Sequence, residues 1–166
     1  MNFSKYAWLV LFTFFALGPG AAQAQTTVNI LQDLDFGEWI VMNTQTPLSI
    51  QLAPNGAVGT VVPGAYTPDP GLFELRRPEI GVYEISNMLD GVGQTIQSVT
   101  VLSGTLTGGG KTFDIDIDSS QIDYDPAGIV DENTVVTVRV GGTITTTAGG
   151  YGDDTYQGTM TLQFNY

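Results

Sequence analysis

From Val136 onward the chain alternates. Val136, Val138, Val140 and Ile144 fall on one parity, with Thr137, Arg139, Thr143 and Thr145 on the other. A period of two places successive side chains on opposite faces, the mark of a half-buried strand. The same pattern recurs at Leu48/Ile50/Leu52, Tyr83/Ile85, Val99/Val101, Phe113/Ile115/Ile117 and Met160/Leu162/Phe164/Tyr166. No stretch carries convincing helical spacing. Turn signals separate the runs: Pro54-Asn55-Gly56, Pro63-Gly64, Asp69-Pro70-Gly71, Asp90-Gly91, Gly108-Gly109-Gly110, Asp125-Pro126-Ala127-Gly128 and Gly149-Gly150. Glycine supplies positive φ and proline presets φ near −65°, so these dipeptides end strands mechanically. About eight to ten short strands so spaced predict an antiparallel β-sandwich of immunoglobulin-like type, with a barrel as the other closed all-β solution.

One irregularity adds detail. Val28, Ile30, Leu34 and Phe36 are apolar on even positions, whereas after Gly37 the pattern continues through Trp39 and Val41 on odd ones. A one-residue shift at a glycine predicts a bulge, the device by which a sandwich strand passes from one sheet to the other.

The first 24 residues read differently. Lys5 precedes an uncharged, mostly apolar run from Tyr6 to Leu17, and Pro19 and Gly20 break it before Ala22-Gln23-Ala24. These are the parts of a secretory signal peptide, and the run is short of the roughly 20 residues a membrane span needs. The expectation is residues 1–24 as a leader and residues 25–166 as one β-sandwich domain. The chain would be exported through the Sec route to the periplasm and then the cell surface or exterior, with no membrane insertion after cleavage.

Without Lys5 the chain holds four basic and seventeen acidic residues, a formal charge of −13. Such a surface repels phosphate backbones and anionic headgroups, which disfavours nucleic acid and membrane-surface partners. Cysteine and histidine are both absent. Disulfides, zinc sites of the His/Cys type, Ser-His-Asp triads and Cys-His dyads are therefore excluded, and the core must hold the fold unaided.

Carboxylates remain as candidate chemistry. Asp114, Asp116 and Asp118 occupy every second position of Lys111-Thr112-Phe113-Asp114-Ile115-Asp116-Ile117-Asp118. On a strand they lie on one face about 7 Å apart, too far to chelate one small cation unaided. A D-x-D-x-D calcium loop needs glycine at its sixth position and glutamate at its twelfth, where this chain has Ser119 and Asp125. The expected reading is a solvated face opposite a buried Phe-Ile-Ile face. Gly149-Gly150-Tyr151-Gly152-Asp153-Asp154-Thr155-Tyr156-Gln157 fits the G-G-x-G-x-D-x-U-x calcium nonapeptide, but that repeat binds calcium only in stacked copies and here stands alone. Asp153 and Asp154 are the calcium candidates; otherwise no metal or cofactor is expected. Asp123/Asp125, Asp131/Glu132 and Asp153/Asp154 could in principle form a glycosidase pair, yet all fall in turn-like segments where loop solvation explains them. No catalytic residue is assigned, and the chain is expected not to be an enzyme. Trp39, Tyr66, Phe73, Tyr83, Phe113 and Phe164 are expected in the core, with Tyr124 and Tyr151 as exposed aromatics.

Four blocks carry a resemblance. They are Leu34-Asp35-Phe36-Gly37; Gly71-Leu72-Phe73-Glu74-Leu75 leading into Val82-Tyr83-Glu84-Ile85-Ser86; Val138-Arg139-Val140-Gly141-Gly142-Thr143-Ile144; and the close from Asp154 to Tyr166 with its Y-x-G-T start. In this order they resemble the bacterial secreted family known as domain of unknown function 4402, across essentially the whole of residues 25–166. The acidic ladder and Arg76-Arg77-Pro78 depart from its usual pattern. That family is similar to pilin and spore-coat-U-like subunits. The resemblance implies an immunoglobulin-type sandwich without catalytic residues, a homopolymer formed by strand exchange, and a periplasmic chaperone as partner. The expected function is an exported structural or adhesive surface protein, a fimbria-like subunit. The alternative is a monomeric extracellular binding module that uses calcium. The assembly residues would be Val28 and Ile30 on a donated strand (residues 25–32) and Met160, Leu162, Phe164 and Tyr166 on the last one.

Overall fold

The computed structural model describes residues 9–10, 27–42, 46–54, 65–87, 94–125, 129–130, 133–146 and 154–165. Its strands are β1 (Leu9–Val10), β2 (Thr27–Gln32), β3 (Glu38–Val41), β4 (Ser49–Ala53), β5 (Ala65–Pro68), β6 (Leu72–Arg76), β7 (Gly81–Ser86), β8 (Gln94–Thr95), β9 (Ser98–Gly108), β10 (Lys111–Asp116), β11 (Ile122–Asp125), β12 (Ile129–Val130), β13 (Val136–Val140), β14 (Gly142–Thr145) and β15 (Gln157–Asn165). A single 3-10 turn, Ser119–Gln121, is the one helical element among the described residues, and no helix there is long and apolar enough to cross a membrane.

Two sheets make the sandwich. One runs β1-β15-β9-β10-β14-β4-β5 and the other β11-β13-β7-β2, with two-stranded pieces β3-β6 and β8-β12 beside them. Among the described residues every pairing is antiparallel except β1 with β15. Alternating residues of both sheets meet in one core: Ile50, Leu52, Leu106, Phe113, Ile115, Ile144, Met160 and Leu162 from the first, Tyr83, Ile85, Val136, Val138 and Val140 from the second. This is the immunoglobulin-like sandwich that the alternation predicts. Among the described residues twelve strands have four residues or more, above the eight to ten expected. The excess comes from one long ladder, β2 and β3 against β7 and β6, joined through the bridge Asp35–Glu79.

That ladder contains the expected parity shift. Its pairing slips by one residue between Ile30 and Gln32, leaving Leu31 as the extra residue, and slips back between Glu38 and Trp39, leaving Leu75 extra on β6. The two bulges cancel, and between them the paired chains bend. Gly37 sits in the bend at φ +80, and a Cβ there would lie 2.4 Å from the Arg76 carbonyl oxygen, so no other residue fits. Leu34 and Phe36 before the bend and Trp39 after it are all buried, as the switch of parity requires. The Gly108-Gly109-Gly110 signal is also a turn. Gly109 and Gly110 both take positive φ between Gly108 and its partner Lys111, the two-residue hairpin geometry that matches strand twist.

Candidate functional site

The aspartate ladder lies where its spacing puts it. Phe113 and Ile115 of β10 are buried while Asp114 and Asp116 are exposed on the opposite face. Asp118 differs from the expectation of a shared strand face. β10 ends at Asp116, and Asp118 caps the 3-10 turn: its Oδ1 accepts the Ser120 N–H at 2.7 Å and the Ser120 hydroxyl. These bonds hold the Asp118 carboxyl below its ordinary range. Gln121 closes the box by accepting the Asp118 N–H at 3.1 Å, and its buried amide donates to the Leu52 carbonyl and to Thr143 Oγ1. The third aspartate is thereby committed to the local turn.

The other carboxylates separate as well. Asp123 and Asp125, expected in a turn, belong to β11, where Asp123 pairs with Arg139 of β13. Arg139, expected on a wet face, is buried, since β13 is an inner strand flanked by β11 and β7. Among the described residues no three acidic side chains converge. Asp131, Glu132, Tyr151 and Asp153 lie outside the described residues. Asp154 is half-buried, its carboxylate resting over Gly109, where a Cβ would come within 2.0 Å of Oδ2. Tyr124 is half-buried with its hydroxyl near the Gln97 carbonyl at 3.4 Å.

Side-chain hydrogen bonds tie the bend of the long ladder. Asp35 accepts the Gly37 N–H at 2.7 Å and both Arg76 guanidinium nitrogens, at 2.7 and 2.9 Å. Asp35 raises the Arg76 pKa by these bonds, and the guanidinium stays charged. Across β6, Glu74 accepts the Tyr66 hydroxyl, a bond that raises the tyrosine pKa; Tyr66 meets Trp39 edge-on at 6.1 Å and lies under Arg77 at 5.3 Å. These contacts turn Glu74 and Arg76 inward. Phe73 and Leu75 therefore face water, and Phe73, expected in the core, is exposed.

The expected assembly residues fall in two places. Met160, Leu162 and Phe164 of β15 are buried, and Tyr166 lies outside the described residues. Val28 and Ile30 belong to β2, which pairs with β7 of its own domain, opposite Ile85 and Tyr83. As an edge strand β2 is only partly covered: Val28 is half-buried and Ile30 is 42% exposed. Donation of residues 25–32 would require β2 to leave β7 first. The outer edge of β15 is paired at Thr159 and Met160 by Leu9–Val10, running parallel. Near the start of β15, Tyr156 meets Phe113 edge-on at 4.9 Å, and a Cβ on Gly158 would lie 1.5 Å from the Thr105 carbonyl oxygen.

The chain belongs to the family described as domain of unknown function 4402, whose model matches residues 25–166. No curated protein and no solved structure matches it. The blocks that carry the resemblance now have physical roles. Asp35 and Gly37 set the bend, and Tyr156 and Gly158 seat the last strand against β9 and β10.

Proposed function

We propose that the mature chain is an exported, non-enzymatic structural subunit of the cell surface, fimbria-like, assembling by β-strand addition along the outer edge of β15. The observation that carries this reading is the strand itself. β15 is nine residues long, seats Met160, Leu162 and Phe164 in the core, and takes a parallel strand from the leader segment on the edge away from β9. Removal of the leader opens that row of backbone groups, and an open strand edge is a template for a strand from another chain.

The incoming strand is residues 25–32 of a neighbour, released from β7. Every described side chain of β2 is exposed or half-buried, so its transfer uncovers little of the core. The test compares chains starting at Gln25 and at Asp33 by electron microscopy and sedimentation. The longer chain should form filaments and the shorter remain a folded monomer. A longer chain that stays monomeric at high concentration, or a shorter one that polymerises equally well, overturns the reading.

A further inference from the structure

Leaving the leader segment β1 aside, the strands at the sheet edges are β15 and β5 in the first sheet and β11 and β2 in the second. An open strand edge invites a foreign strand, and folded chains blunt their edges with prolines, charges or bulges. Three of these four edges are blunted in that way. β5 ends in Pro68, β11 carries Asp123 and Asp125, and β2 holds the extra residue Leu31. β15 has no such feature in its nine residues; at its register shift the extra residue, Leu102, belongs to β9. From Thr155 to Tyr166 the chain has neither a charged residue nor a proline. The same edge already holds a strand: Leu9–Val10 runs parallel along it with Val10 opposite Met160, and beyond Met160 the edge is unpaired among the described residues.

We infer that the strand a neighbour adds to this edge is neutral and runs parallel to β15, with Val28 opposite Met160 and Ile30 opposite Leu162. The inference rests on the strand-addition reading above and fixes its direction and register. Direction follows from β1, the strand seen on this edge, which is parallel where the other described pairings are antiparallel. Register follows from the faces, because residues opposite each other across a ladder share one. Met160 and Leu162 face the core, and Val28 and Ile30 are the apolar pair two residues apart in the incoming strand. With Val28 in the place of Val10, apolar residues oppose apolar ones, and Thr27 and Asn29 lie beside Thr159 and Thr161 on the outer face. A shift of two residues would set Val28 beside Gly158 and Gln32 beside Leu162. Charge agrees with this partner. Residues 25–32 carry none, so two bodies of charge −13 meet along strands that add nothing to their repulsion.

The chain has no cysteine, so engineered pairs report the register without background. Three double variants of the chain starting at Gln25 make the test. Asn29→Cys with Thr161→Cys are opposed in the parallel register and also in the antiparallel one that sets Val28 against Leu162 and Ile30 against Met160, so this pair reports strand addition in either direction. Thr27→Cys with Thr159→Cys are opposed only in the parallel register, and Thr27→Cys with Gln163→Cys only in the antiparallel one. Opposed Cα atoms lie about 5 Å apart, within disulfide reach, whereas the wrong partner stands four residues along the strand, about 13 Å away and out of reach. All five positions are exposed or half-buried, so the circular dichroism spectrum should not change. After assembly and oxidation, the first two variants should give a ladder of linked multimers on non-reducing gels and the third should stay monomeric. A ladder from the third in place of the second overturns the parallel direction and leaves strand addition standing. Linking by the first pair alone overturns the register, and no linking by any pair overturns both the inference and strand addition at β15.

Discussion

Asp35→Ala removes the acceptor on which the bend of the long ladder depends. The side chain receives three hydrogen bonds, one from the Gly37 backbone and two from Arg76. The ion pair is neither exposed nor fully buried, with side-chain exposures of 29% for Arg76 and 18% for Asp35. An exposed pair contributes about 0–1 kcal/mol, and a hydrogen bond to a charged group about 1.5–3 kcal/mol. A half-covered bidentate pair falls between, at about 2 kcal/mol, and the lost turn bond to Gly37 adds about 1 kcal/mol. The total of about 3 kcal/mol is a large part of the 5–15 kcal/mol typical of a domain. It should lower the melting temperature by roughly 10 °C. Asp35→Asn keeps an acceptor for Gly37 and should cost about half as much. In a double-mutant cycle with Arg76→Met, which keeps much of the side-chain stem, the coupling should be about 1–2 kcal/mol. Trp39 makes the assay direct. A chain starting at Gln25 has no other tryptophan, since Trp8 precedes it, and Trp39 is buried with its indole N–H donating to the Phe36 carbonyl. Urea unfolding followed by its fluorescence reads the bend and the fold together. A cost below about 0.5 kcal/mol for Asp35→Ala would refute the reasoning, because the bend would then be set by the glycine and the bulges alone.

Asp114→Ser with Asp116→Ser should change stability by less than about 0.5 kcal/mol at moderate salt and slightly raise it at low salt, whereas Ile115→Asp, which puts a charge into the core beside Phe113, should abolish folding; thermal melts of the variants check both. Gly158→Ala should destabilise by about 3 kcal/mol or more, since the added carbon meets rigid backbone of β9 at Thr105, and a near-neutral denaturation midpoint would count against that packing. Burial holds the Tyr83 phenol protonated well above its ordinary pKa, so its share of stability is complete below about pH 10 and is lost as pH rises above that value; Tyr83→Phe should flatten the alkaline limb of stability against pH. Asp118 works in the other direction: its lowered pKa gives a contribution present above the ordinary carboxylate range and lost as pH falls through the lowered value, which an NMR titration of Asp118 in the folded chain measures.

The alternating runs were readable because each has one face buried. Val136, Val138, Val140 and Ile144, Phe113 and Ile115, and Met160, Leu162 and Phe164 all point into the core as their parity indicates. Parity alone fails where both sets have a claim to the interior. In Leu72-Phe73-Glu74-Leu75-Arg76 hydrophobicity favours burying Phe73 and Leu75, yet these two are exposed and the other set is half-buried. The deciding groups, Tyr66 and Asp35, stand 8 and 41 residues away and cannot be read from the segment itself. Arg139 is buried against its parity for the same reason: its partner Asp123 is placed only when β11 and β13 pair. Asp123 in turn looked like a turn residue from its neighbours Asp125, Pro126 and Gly128, a local signal that pairing with β13 overrides.

Two kinds of residue stand side by side within the blocks that carry the resemblance. Gly37 and Gly158 are required by geometry: a Cβ at either would enter a neighbouring backbone. Asp35 is required by its bonds. Phe73 lies in one of the same blocks and meets neither requirement, since its ring stands in water opposite Ile40 and no core contact depends on it. Packing would accept a polar residue there, and β-propensity would accept threonine. A large aromatic side chain held out of the core by bonds on the far side of its own strand is better explained by something outside the domain than by the domain itself. The strand addition proposed for the outer edge of β15 therefore depends on a frame that the Asp35 bend and the Gly37 and Gly158 contacts hold in place.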